Sequence, residues 1–93
     1  MKHWNIVVRG KVQGVYYRAT TKAVADQLGV KGFVQNQNDG SVYIEAEGDL
    51  FALELLLEFC QEGPDRAEVE DVQYTESADI RNFKNFEVIK RTK

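Results

Sequence analysis

Between a segment that alternates in polarity up to Arg9 and a segment that repeats every three to four residues from about Val15 stands the stretch Gly10-Lys11-Val12-Gln13-Gly14-Val15-Tyr16-Tyr17-Arg18. The change of period puts two glycines where a strand gives way to a helix. A strand, a glycine-bearing turn and a helix start leave backbone N–H groups without partners, and the helix dipole adds partial positive charge to them. An anion is the natural guest, phosphate above all. Arg18 sharpens the expectation, because a cation in a first helical turn opposes the dipole unless an anion lies between the two. Taken by itself the stretch reads equally well as a solvated loop with a surface arginine, since short glycine motifs recur by chance.

The rest of the chain supplies the frame. Residues 3–9 alternate, with Trp4, Ile6 and Val8 on one face and His3, Asn5, Val7 and Arg9 on the other, which predicts a strand. Residues 15–28 predict a helix that packs Tyr17, Thr21, Val24 and Leu28 inward and stops at Gly29. Residues 31–37 and 41–47 predict a hairpin around Asn38-Asp39-Gly40, residue types that tolerate positive φ. Val34 and Asn36 share a face of its first strand, while Val42, Ile44 and Ala46 share a face of its second. Asp49 is placed to cap an apolar helix running to about Glu62, with Leu53, Leu56, Leu57 and Cys60 inward. Phe51 and Leu55 exceed what that stripe needs. Gly63-Pro64 ends the helix; residues 67–74 predict a strand whose parity slips between Val69 and Val72, the mark of a bulge. A polar connection over 77–84 leads to a last short strand at 86–89.

Strand, helix, strand, strand, helix, strand, plus one added strand, is the order of a ferredoxin-like split βαβ sandwich. It is an α+β fold, expected here as an antiparallel sheet with two helices on one face. With 93 residues the chain is expected to form a single domain, 1–93. One Cys excludes an internal disulfide and one His leaves no His-rich metal cluster. No stretch resembles a signal peptide or membrane span, so the expectation is a cytoplasmic protein with no membrane partner. The net charge of −3 argues against long nucleic acid as a partner, yet Lys2, Arg9, Lys11, Arg18 and Lys22 leave the first quarter basic.

This fold hosts many functions, so the choice falls to the motifs. The stretch from Val8 to Arg18 resembles the first signature of the acylphosphatases. Gly32-Phe33-Val34-Gln35-Asn36, followed by Gly40, Val42 and Gly48, resembles the second. The resemblance covers nearly the whole chain, and it implies hydrolysis of a carboxylic-phosphoric anhydride to carboxylate and inorganic phosphate without metal or other cofactor. It further implies a monomer acting on a small acyl phosphate. By position Arg18 matches the family's phosphate-binding arginine and Asn36 its water-orienting asparagine. The backbone N–H groups of Gln13, Gly14, Val15, Tyr16, Tyr17 and Arg18 are then the phosphate cradle. Tyr17 departs from the family's more usual Phe, and Ile89-Lys90-Arg91-Thr92-Lys93 from the aromatic ending of the vertebrate enzymes.

Physics supports those assignments independently. An acyl phosphate already has a good leaving group, so the protein's tasks are to hold the phosphoryl group, offset charge on its oxygens and place water in line. An arginine fork suits the first two, and an Asn side chain, both donor and acceptor, suits the third. The parity of Asn36 with Val34 carries it one step beyond a core position, on the helix-covered face, toward the start of the first helix.

Rival readings are weaker. Cys60 and Arg66, with five residues between them, have the spacing of a cysteine-dependent phosphatase. Such a thiolate needs a strand-to-helix loop, whereas Cys60 is expected at a helix C-terminus and in the core. Lys31-Gly32-Phe33-Val34 faintly echoes an RNA-recognition signature, but Gln35 and Asn38 stand where stacking aromatics are needed. A catalytically silent domain that binds acyl phosphate or phosphate is the remaining alternative. His3 is expected to be a solvated strand residue.

Overall fold

The computed structural model describes residues 1–90, so Arg91, Thr92 and Lys93 of the tail lie outside the described residues. The first alternating segment forms a ten-residue strand, β1 (Lys2–Lys11), with Trp4, Ile6 and Val8 buried as the pattern requires. Helix α1 (Tyr17–Leu28) starts two residues later than the apolar spacing suggests, because Tyr16 adopts a left-handed conformation (φ 62°, ψ 20°) that cannot continue into a helix. Gly29, also left-handed, ends it, its N–H donating to the carbonyls of Ala25 and Asp26.

Strands β2 (Lys31–Asn36) and β3 (Val42–Gly48) form the expected hairpin, with Val34 facing Ile44 across the pair. Helix α2 (Leu50–Glu62) is capped by Asp49, whose carboxylate accepts from Ala52 N at 2.8 Å. Ala52, Leu53, Leu56 and Cys60 are its buried face, and Leu57 and Phe59 pack partly against the core. Burial of Leu53 and Leu56 stabilises by roughly 1.5–3 kcal/mol each. Phe51, by contrast, is exposed and Leu55 half-buried. Strand β4 (Glu68–Ser77) pairs with β1 and carries the expected bulge: Arg9 faces Asp71 and Gly10 faces Val69, so Glu70 is the extra residue.

The sheet order is β4-β1-β3-β2-β5, where β5 is Phe86–Ile89. The neighbours up to β2 are antiparallel as expected, but β5 lies parallel to β2, so the whole sheet is mixed. The reason is the route between β4 and β5, which lie at opposite edges. Residues 78–85 cross the sheet on its helix-free face and deliver the chain to β2 in the same direction. Both helices cover the other face, closing a core of Trp4, Ile6, Val8, Tyr17, Val34, Ile44, Leu53, Leu56 and Phe86.

The crossing segment overturns the expectation for His3. Its side chain, on the helix-free face, is only 3% exposed. Nδ1 lies 2.7 Å from the Glu47 carboxylate and Nε2 3.1 Å from that of Glu45. Glu47 also accepts from the backbone N–H groups of Arg81 and Phe83 in the crossing segment, and the Phe83 ring lies 5.9 Å from those of His3 and Phe33. Alternation assigned His3 to the open face correctly, but a local pattern carries no information about a distant segment that covers that face.

Candidate active site

The link from β1 to α1 has positive φ at Gly14 (74°) and at Tyr16 (62°). Backbone of this kind curls successive N–H groups onto one concave side. The two helices differ at their starts in a telling way. Asp49 caps α2 through its side chain, whereas α1 has no side-chain cap. Among the described residues no side chain caps the first N–H groups of α1.

Arg18 and Asn36 come together in one open cavity of about 630 Å³, in front of this helix start, with Gly14, Tyr16, Val88 and Lys90 also on its walls. That volume suits a small organic phosphate. Arg18 does not project freely into it: Nη1 donates to the carbonyl oxygen of Ile89 at 2.8 Å. The bond anchors one nitrogen of the guanidinium to β5. Asn36 is brought there by the strand parity read from Val34. Gln13 works through its side chain, Nε2 donating to the carbonyls of Gln37 and Ser41 at 2.8 Å each, which fastens the loop to the β2–β3 turn that follows Asn36.

Two features of the cavity escaped the sequence reading. The Gln13 clasp has no periodic signature. Lys90 does: it shares a face with Phe86 and Val88, one step beyond a core position, the same argument that located Asn36. Among the described residues the cavity wall carries Arg18 and Lys90 and no carboxylate, in a chain of net charge −3. An anion is what such a wall attracts.

Tyr17 points the other way. It is 1% exposed, and its hydroxyl donates to the carbonyl of Cys60 at 2.7 Å; burial raises its pKa far above the ordinary range. Cys60 is itself buried at the C-terminal end of α2, where desolvation pushes the thiol up to about 12. Arg66 lines a separate cavity with Pro64 and Asp65. A protonated thiol inside the core is no nucleophile, so the cysteine-phosphatase spacing is a coincidence of sequence. The sheet face on which an RNA-recognition module stacks bases is occupied by Phe83 against Phe33.

A ferredoxin-like frame defines the class, an α+β protein, here with an uncapped helix start and two cations on one cavity wall. Comparison with known proteins narrows it. Residues 4–88 match the acylphosphatase family model. An acylphosphatase of Marinobacter nauticus is 46% identical over 92% of this chain and 94% of its own length. One of Methylococcus capsulatus is 40% identical over 97% of this chain and 98% of its own. The crystal structure of acylphosphatase from Bacillus subtilis superposes with a TM-score of 0.93 at 35% identity, covering 96% of this chain and 99% of that one. The chain belongs to the acylphosphatase family of hydrolases.

Proposed function

We propose that this hydrolase cleaves acyl phosphates by charge stabilisation and positioning, with the phosphoryl group seated on the N–H groups of residues 13–18. The observation that carries this reading is the meeting of Arg18 and Asn36 in one cavity at the uncapped start of α1. Arg18, steadied by the Ile89 carbonyl, bridges two non-bridging oxygens with its free N–H groups. Asn36 accepts from a water and donates to the phosphoryl group, which holds the water opposite the leaving oxygen. As the water oxygen bonds to phosphorus, the bond from phosphorus to the acyl oxygen breaks and its electron pair leaves on the carboxylate. The water proton passes to the phosphate formed or to solvent. The carboxylate is a weak base, so the step needs no strong general acid.

The test is phosphate release from acetyl and benzoyl phosphate, with a chelator present and a phosphomonoester as control. Acyl phosphate turnover that persists in chelator, with the monoester untouched, is the expected result. Binding of inorganic phosphate without turnover would identify a silent anion-binding domain instead.

A further inference from the structure

Tyr16 is an anomaly that phosphate binding leaves unexplained. A bulky side chain at φ 62° is strained, and glycine would serve the loop better. Nor does the ring contribute to the core, since the residue is 79% exposed. Its backbone is nevertheless firmly held: the carbonyl accepts from both Thr20 N at 3.1 Å and Thr20 Oγ1 at 2.9 Å. The result is an aromatic side chain carried at the rim of the loop by a held backbone, where strain of this kind accompanies function.

Tyr16 lines two cavities. One holds Arg18 and Asn36; the other, of about 400 Å³, is formed with Val15, Thr20, Pro64, Asp65 and Arg66. The two lie toward opposite edges of the sheet. The first is walled by Asn36 at the end of β2 and by Val88 of β5, the second by the segment that enters β4. In-line displacement requires the attacking water and the leaving group on opposite sides of phosphorus. With water on the Asn36 side, the acyl group is directed across Tyr16 toward the second cavity.

We propose that Tyr16 and the second cavity, walled by Val15 and Pro64, form the subsite for the acyl group and select acyl phosphates with an aromatic or extended apolar acyl part. This rests on the reading of Arg18 and Asn36 given above. The ring supplies a stacking face, and Val15 and Pro64 supply apolar surface beyond it.

The experiment compares kcat/KM for benzoyl and acetyl phosphate in the parent, Tyr16→Asn and Tyr16→Phe, with inorganic phosphate as competitive inhibitor to report on the cradle. Asn tolerates the left-handed conformation, so the loop survives loss of the ring. The benzoyl-to-acetyl ratio should fall roughly fivefold or more in Tyr16→Asn, the scale of one aromatic contact, and be retained in Tyr16→Phe, with phosphate inhibition similar in all. An unchanged ratio in Tyr16→Asn overturns the subsite. So does a parallel loss on both substrates with weakened phosphate inhibition, which would make Tyr16 part of the cradle alone. A parent protein that hydrolyses neither substrate would instead sink the reading of the site itself, and the subsite with it.

Discussion

Arg18 illustrates how one side chain can answer two demands. The helix dipole disfavours a cation in the first turn of α1, but the guanidinium reaches across to the Ile89 carbonyl at 2.8 Å and ties α1 to the edge strand. Dipole reasoning alone would have Arg18→Gln neutral or stabilising; the lost anchor removes that gain. Arg18→Lys keeps the charge and loses the fork, so turnover should fall by about two to three orders of magnitude, as on removal of an oxyanion donor. Phosphate should raise the Tm of the parent and hardly move that of Arg18→Lys or Arg18→Gln; near-normal turnover in Arg18→Lys would move the anion site elsewhere. Asn36→Ala should lower kcat on the order of a hundredfold while inhibition by phosphate changes much less, since a placed water matters to the transition state more than to the bound anion. Steady-state kinetics with phosphate as inhibitor separates the two. Cys60→Ser, in the core, should leave turnover essentially intact at a temperature where the variant is folded, and loss of turnover there would revive the thiol as a nucleophile.

Among the elements, the β2–β3 hairpin carries Asn36 beside a turn tied by Asp39. Asp39 accepts from both the N–H and the hydroxyl of Ser41, at 3.0 and 2.6 Å, and from Arg9 Nη1 at 3.0 Å. The Ser41 hydroxyl, the Ser41 N–H and then Arg9 draw its carboxyl down from 3.8 to about 2. A carboxyl with a depressed folded-state pKa adds stability that is complete above its unfolded value and is lost as pH falls toward the folded one. The hairpin contribution is therefore full above about pH 4 and fades toward about pH 2. Thermal unfolding followed between those limits should show a shallower acid loss in Asp39→Ala than in the parent. Equal slopes would remove Asp39 as a source of acid sensitivity. The same turn receives the two bonds from Gln13, so its geometry and that of the link from β1 to α1 are set together.

Across the whole molecule, the helix-free face is closed by the chain's own crossing segment, and Glu47 is its fastening. Burial by itself would raise the Glu47 carboxyl, but the bonds from His3 and from the N–H groups of Arg81 and Phe83 prevail and lower it. Glu47→Ala should cost about 3 kcal/mol or more, because it leaves His3 and two backbone donors without their acceptor. Urea unfolding measures this, and a loss below about 1 kcal/mol would show that the segment is held by Phe83 packing instead. The segment also sets the direction in which β5 enters the sheet, and β5 supplies the carbonyl that anchors Arg18. The uncapped start of α1 and the filled helix-free face thus depend on one continuous path of chain.

Local order is what this sequence determined by itself. Period-2 and period-3.6 spacing, the Asp49 cap, the turn residues at 38–40 and the parity slip in β4 act over a few residues, so each is written where it acts. The placement of Asn36 was legible for the same reason, since Val34 fixes its face two residues away. Long-range geometry was decided only by the tertiary structure. The parallel pairing of β5, the burial of His3, the Gln13 clasp and the Ile89 anchor on Arg18 each join residues 24 to 71 positions apart. No periodicity spans such separations; they are set by which faces remain to be covered and which backbone groups remain to be paired once the core has closed.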